Sequence, residues 1–327
     1  MKIHAIGHGQ VFAVEPYLPL NSAVGFAQSP HAIVLDDRIR VYYSTRKLSP
    51  NNGKYLSQIA FVDYSLDLKS IIYHSRNPVL SLGRTGCFDE HGIFPLHVLR
   101  HGGRILGYST GLSRRISVPI DAAIGLVESF DGGDSFVRHG DGPVMSASLH
   151  EPFMIGDAFV LSEANKLKMW YIFGQRWLEP TLTNPEPERV YKIAQCESPD
   201  GLHWVGRSGT AIIPDQLGID ECQALPTVTK IDGGYLMVFC FREAVGFRTD
   251  PKRGYRLGTA YSRDGQAWNR SPEPLEFTGE PGAWNSDMQC YPNLFWHQQK
   301  LWLLYNGNEF GRHGFGLAEL ICNPNNR

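Results

Sequence analysis

The stretch Ile193–Trp204, IAQCESPDGLHW, decides how the rest of the chain is read. A short run of β-forming character ends at Ser198, and Asp200-Gly201 breaks it before an aromatic residue. Glycine takes positive φ at little cost and aspartate caps the turn, so the segment predicts a hairpin. Related turns follow IAFVDY at Ser65-Leu66-Asp67, IGLVE at Ser129-Phe130-Asp131-Gly132, and LGTAY at Ser262-Arg263-Asp264-Gly265. The four serines are 64, 69 and 64 residues apart. Recurrence at such a period is the mark of a repeat architecture.

Working outward, a Tyr- or Trp-rich run precedes each of these strands: IRVYYST (39–45), RILGYST (104–110), LKMWYIFG (167–174), GYLMVFCF (234–241) and KLWLLYNG (300–307). Ahead of these lie HAIVL, FPLHVL, DAFVL, PTVTK and PNLFW. Behind the Asp turns come NPVLS (77–81), GPVMS (142–146), TAIIP (210–214) and EPLEF (273–277). Four strands per unit predict an all-β fold, a five-bladed β-propeller with blades of four antiparallel strands. The fifth unit lacks its fourth strand, and GHGQVFAVEP (7–16) has the character to supply it, closing the ring by joining the N-terminal strand to the last blade. Helical periodicity is nearly absent, which removes the crossover helices a doubly wound α/β fold needs. With no Ser- or Pro-rich linker, residues 1–327 are expected to form a single domain.

Apolar residues make up 42% and charged residues 20% of the chain, enough to bury a sizeable core. A net charge of −2 offers no basic surplus for nucleic acid or an anionic membrane. The first residues show no charged-then-apolar leader, and no apolar run is long enough to span a bilayer. Cys87, Cys196, Cys222, Cys240, Cys290 and Cys322 are scattered, with no CxxC pair. Reduced thiols and a cytoplasmic location are expected. His31, His91 and His150 have no metal-ligand spacing, so neither a metal nor another cofactor is expected.

With the strands lettered A to D from the axis outward, the A–B and C–D turns are short and share one rim. The connections at 81–94, 175–190, 214–225, 243–255 and 277–291 are long and converge on the other, where function is usually built. Just upstream of the innermost strands, Phe88-Asp89-Glu90-His91-Gly92-Ile93-Phe94-Pro95 aligns with Ile219-Asp220-Glu221-Cys222-Gln223-Ala224-Leu225-Pro226. His150-Glu151-Pro152 and Ser286-Asp287-Met288-Gln289-Cys290-Tyr291-Pro292 fall at or near the same register. Like charges crowded at one mouth raise one another's pKa unless they are used or paired. Each carboxylate alone could equally cap a turn.

Arg46, Arg176 and Arg242 end second strands at the same mouth and could neutralise the acids or recognise phosphate or a sugar carboxylate. Tyr291 and neighbouring aromatics could stack on a sugar. Glu151, Glu221, Asp89 and Asp220 are expected to belong to a functional acidic cluster at this mouth, with His31, Arg46, Glu90, His91, Arg176, Arg242, Asp287 and Tyr291 as its binding residues.

On its S-x-D-G turns ending in Trp204 and Trp268, its acid-then-Pro starts at Asp89 to Pro95 and Asp220 to Pro226, and its closing YNGNEFGRHGFGLA segment, the chain resembles the five-bladed β-propeller glycosidase superfamily. That group contains glycoside hydrolase families 43, 62, 32, 68, 117 and 130. The resemblance implies a glycosidase or phosphorylase using funnel carboxylates in acid/base catalysis, with a base in the first blade and an acid in a later one. Glu151 and Glu221 are the expected acid and base of an inverting reaction, with Asp89 and Asp220 orienting them. Here the first blade reads Ala27-Gln28-Ser29-Pro30-His31, with no acid beside Pro30. The expected partner is a small, anionic saccharide or a sugar nucleotide, with phosphate a further candidate. A noncatalytic carbohydrate-binding propeller that has lost the first-blade base, and a protein-interaction scaffold, are the alternatives.

Overall fold

The computed structural model describes residues 2–17, 23–163, 166–182, 185–275, 277 and 282–323. The short A–B turn of the third unit, Glu163–Lys166 in the sequence, the long loops at 175–190 and 277–291 and the run at 273–277 are therefore seen only in part. Residues 164–165, 183–184, 276 and 278–281 lie outside the described residues.

The chain is almost wholly β. Strand β1 (Lys2–Ala13) is followed by β2 (Gln28–Val34), β3 (Ile39–Leu48), β4 (Tyr55–Tyr64) and β5 (Ile71–His74). Then come β6 (Gly92–His101), β7 (Arg104–Ser113), β8 (Asp121–Ser129) and β9 (Val137–Arg138), and after them β10 (Ile155–Glu163), β11 (Lys166–Leu178) and β12 (Glu188–Ser198). The last are β13 (Glu221–Ile231), β14 (Gly234–Glu243), β15 (Arg256–Ser262), β16 (Asn269–Arg270), β17 (Cys290–His297), β18 (Lys300–Asn306) and β19 (Gly314–Asn323). Consecutive strands pair as antiparallel meanders. An eight-stranded sheet holds β2 to β9, its two meanders joined by one parallel bridge between Ser57 and Gly92. β1 runs antiparallel to β19 and makes the final sheet four-stranded, in the order β1-β19-β18-β17.

The leading strands of the meanders pack on one another: β2 against β6 and β17, β6 against β10, β10 against β13, and β13 against β17. First and last meanders are stitched by side-chain amides. The Ser29 N–H donates to Asn306 Oδ1 at 2.8 Å, and the Ala32 N–H to Asn293 Oδ1 at 2.9 Å.

The repeating turns form as their chemistry demands. In all four, the serine hydroxyl donates to the aspartate two residues on, at 2.6 to 3.0 Å from Ser65, Ser129, Ser198 and Ser262. These hydrogen bonds contribute to holding Asp67, Asp131, Asp200 and Asp264 below the usual carboxylate range. The turns also link neighbouring meanders, since Tyr42 donates to the Gly133 carbonyl at 2.7 Å and Tyr108 to that of Gly201 at 3.1 Å.

The outer strands differ from expectation. Among the described residues, the runs at 77–81, 142–146, 210–214 and 273–277 make only isolated contacts, such as the bridges Ile124–Met145 and Leu257–Leu275. The outermost ladders are shorter and earlier, at β5, β9 and β16, while the third meander has a single bridge, Glu197–Val205. Each predicted run contains a proline, Pro78, Pro143, Pro214 or Pro274, and proline has no N–H to give a ladder.

Every leading strand carries a bulge in which two residues oppose one on its partner. The pairs are Ser29-Pro30, Phe94-Pro95, Asp157-Ala158, Leu225-Pro226 and Tyr291-Pro292. The second bulge residue needs no ladder partner, which is why proline fits there in four of the five. Ser29, Asp157, Leu225 and Tyr291 take positive φ of 51°, 54°, 48° and 55°. Left-handed backbone costs a non-glycine residue about 1–2 kcal/mol, and such strain collects at functional sites.

Candidate active site

The bulges and the ends of the second strands converge on a cavity of about 280 Å³. Four of the five leading bulge residues line it: Phe94, Asp157, Leu225 and Tyr291. Arg46 from the end of β3, Arg189 and Tyr191 from β12, Arg242 from β14, and Arg248 and Tyr255 from the segment after it complete the polar wall. Asp157 is the one carboxylate among the described lining residues.

Asp157 is buried. Its N–H donates to Thr110 Oγ1 at 2.8 Å, and Oδ2 accepts a long bond from the Leu225 N–H at 3.4 Å. Burial raises its carboxyl to about 7, opposed by that hydrogen bond and by the positive charge of Arg189. A carboxyl at this value exists in both protonation states near neutral pH, as a group that moves a proton must.

Three guanidinium groups in the same wall, those of Arg46, Arg189 and Arg242, lack carboxylate partners among the described residues, whereas Arg248 pairs with Glu188 at 2.6 Å. The Nε–H of each of those three is buried without an acceptor. Burial lowers the Arg46 pKa from the ordinary arginine value. Arg46 stacks on Phe26, 4.5 Å from the ring centroid, while Arg242 and Arg248 lie 3.4 and 4.1 Å from the centroid of Phe247. Arg242 donates to the Tyr191 hydroxyl at 2.9 Å, and Tyr191 is hydrogen-bonded in turn to Tyr255. An unfilled buried donor costs about 1–3 kcal/mol, and the oxygens of an anionic ligand would fill these.

Of the residues the sequence nominated, Arg46, Arg242 and Tyr291 lie on this wall, and Asp287 lines an adjoining cavity of about 530 Å³. The structure does not bring the nominated carboxylates together there. Asp89 is buried against Arg138, whose Nε donates at 2.9 Å; Glu151 accepts from Arg207 Nε at 2.7 Å and from Tyr171 at 2.6 Å. Glu221 accepts from Arg270 at 2.6 Å and from the N–H groups of Gln216 and Leu217. In each case an arginine from the outer part of a meander clasps the carboxylate that leads into the first strand of the same meander. These arginines follow the turn serines by eight or nine residues, a regularity readable at 138, 207 and 270.

The remaining nominated residues make local contacts. Asp220 pairs with Arg176, and Glu90 accepts from the Gly86 N–H at 2.9 Å and lies 3.4 Å from His91. His31 is buried with Nδ1 3.3 Å from His97 Nδ1, and burial, then its histidine neighbour, pushes its pKa well below the usual value. Nothing in the linear pattern marks Asp157, because the acidic register places His150-Glu151-Pro152 ahead of the third unit and no proline follows Asp157. Its bulge carries Ala158 where the others carry proline, so aligning the bulges puts Asp157 level with Ser29. Arg189, Tyr191, Arg248 and Tyr255 had no repeat signal to mark them.

No protein-family model matches the sequence. The chain is 32% identical over 286 residues to the uncharacterized protein Rv1502 of Mycobacterium tuberculosis strain H37Rv, covering 87% of this chain and 88% of that protein, and equally to MT1551 of strain CDC 1551. Among solved structures it is similar to a glycoside hydrolase (TM-score 0.71, 14% identity, 98% of this chain and 94% of that one). It is similar also to the β-1,2-mannobiose phosphorylase of Listeria innocua in complex with β-1,2-mannobiose (TM-score 0.67, 13% identity, 98% and 96%). A thermostable family-43 glycoside hydrolase matches at a TM-score of 0.61 with 13% identity, covering 93% and 90%. The chain belongs to the same protein family as Rv1502, and its fold is the propeller-like fold of the glycoside hydrolases.

Proposed function

We propose that this protein is a glycoside-active enzyme, one domain of five blades, that binds a small anionic saccharide in the 280 Å³ cavity and uses Asp157 to move the proton. The five-blade reading is supported by five meanders with equivalent bulges, by the cyclic packing of β2, β6, β10, β13 and β17, and by the β1–β19 pairing, which would close the ring. The observation that carries the functional reading is the set of buried, acceptorless Nε–H groups on Arg46, Arg189 and Arg242, residues that line the same cavity as one carboxylate raised to about 7. Such a wall suits a phosphate, a sugar carboxylate or a sugar nucleotide, with the guanidiniums holding the anion as point and fork donors.

In this reading Asp89, Glu151 and Glu221 hold their blades together, and an inverting pair of carboxylates is not the source of the chemistry. A noncatalytic saccharide-binding role is favoured by one feature only, the presence of Ser29 at the bulge where an acid would complete such a pair. Six unpaired thiols support a reducing, cytoplasmic setting. Among the described residues no helix is long and apolar enough to cross a membrane. The test is turnover of anionic glycosides, sugar phosphates and sugar nucleotides by the natural chain and by Asp157→Asn. Loss of turnover with retained ligand binding is expected; undiminished turnover by Asp157→Asn would sink the assignment.

A further inference from the structure

Two cavities share a wall. Arg46, Phe247, Arg248 and Phe310 line both the inner cavity that holds Asp157 and the outer one of about 530 Å³. Arg46 and Arg248 therefore stand at the junction of two compartments, while Arg189 and Arg242 line the inner one, where the charge of Arg189 acts on the Asp157 carboxyl. A single anion at the end of a sugar would need only one cluster. A strip of guanidiniums, three of them without a carboxylate partner among the described residues, calls for a ligand with at least two negative charges placed between two organic halves.

The outer compartment has the chemistry for the second half. Phe26 and Phe310 give it aromatic surface, and Asp287 and Glu309 give it exposed carboxylates. Aromatic rings stack on any nucleobase, and an acidic side chain accepts from ribose hydroxyls. Phe310 is held in place at a cost: Glu309 and Phe310 both take left-handed φ, 54° and 59°. The Phe310 carbonyl accepts from Gln28 Nε2 at 2.6 Å, and a Cβ on Gly311 would lie 2.3 Å from the Asn306 side chain. Two consecutive non-glycine residues in this region persist only where the surroundings fix them.

Resting on the anion-binding reading above, we infer that the ligand is a nucleoside diphosphate sugar: sugar beside Asp157, diphosphate along the arginines, nucleoside against Phe310 and Asp287. This also accounts for a lone carboxylate. A glycosyl–phosphate bond needs no acid, because the leaving diphosphate departs as an anion already held by guanidiniums. The oxygen of water, or of an acceptor hydroxyl, bonds to the anomeric carbon as the bond from that carbon to the phosphate oxygen breaks. The electron pair leaves on the nucleoside diphosphate, and the nucleophile's proton passes to the Asp157 carboxylate.

The experiment is calorimetric titration of the full chain with the diphosphates of uridine, guanosine, adenosine and cytidine. Inorganic phosphate, inorganic pyrophosphate, the free nucleosides and farnesyl diphosphate serve as comparisons. At least one nucleoside diphosphate is expected to bind ten-fold or more tighter than pyrophosphate and than its own nucleoside, and Asp287→Asn to weaken it more than it weakens pyrophosphate. If pyrophosphate binds as tightly as every nucleoside diphosphate, the nucleoside half is refuted while the anion cradle stands. Tightest binding by farnesyl diphosphate refutes it in favour of a lipid-linked sugar. If no phosphate compound binds at all, the anion-binding reading falls with it.

Discussion

Replacing Asp157 by asparagine tests the cavity's electrostatics without needing the substrate. In the folded protein, burial raises the Asp157 carboxyl from 3.8 to about 7, roughly three pH units at about 1.4 kcal/mol each. Because the folded value lies above the unfolded one, the stability tied to the protonated form is fully present below about pH 4. It is lost as pH rises through 7. The natural chain should therefore lose about 4 kcal/mol relative to Asp157→Asn between pH 4 and pH 8. Asparagine also changes local hydrogen bonding, but that offset does not depend on pH, so the slope is the readout. Denaturant unfolding of both chains at half-unit pH intervals measures it. A difference that stays flat within about 1 kcal/mol, or a natural chain that gains on the variant as pH rises, would refute the reasoning.

Arg46→Met should raise the unfolding temperature of the unliganded protein, by removing a half-buried charge with no carboxylate partner among the described residues, while lowering affinity for phosphate or pyrophosphate about ten-fold or more in calorimetry. Glu221→Gln breaks a buried pair with Arg270 and should cost about 3 kcal/mol in urea unfolding, with ligand affinity of the folded fraction unchanged. The four turn aspartates 67, 131, 200 and 264 have lowered folded pKa values, so their stabilisation is present above about pH 4 and lost as pH falls below it. A thermal melt that holds its midpoint down to pH 2 would contradict that. Removing residues 2–13 takes away the partner of β19 and should lower the melting temperature and leave an exposed strand edge that self-associates in sedimentation.

The repeat was legible because what defines it is local. The serine of each turn reaches an aspartate two residues away, and the aromatic residues of each run lie within a single strand, so the pattern survives in a linear reading. Pro30, Pro95, Pro226 and Pro292 stand at the second bulge position, which only the strand registers reveal. Arg46, Arg242 and Tyr291 followed from the register of the repeat. The carboxylates did not, because their partners are distant in sequence: Arg138 is 49 residues from Asp89, Arg207 is 56 from Glu151 and Arg270 is 49 from Glu221. An acid seen alone in a sequence carries no sign of whether a guanidinium will close over it.

The chain by itself determined the period, the turns and the strand order, since turn chemistry and short apolar runs are local properties of neighbouring residues. Only the tertiary structure decided which carboxylate faces a cavity. A bulge inserts one residue and re-aims the side chain after it, and in the third unit that residue is Asp157. Its environment comes from Thr110, Arg189 and Leu225, brought to it from neighbouring meanders and from the far strand of its own, and burial among them raises its carboxyl to about 7.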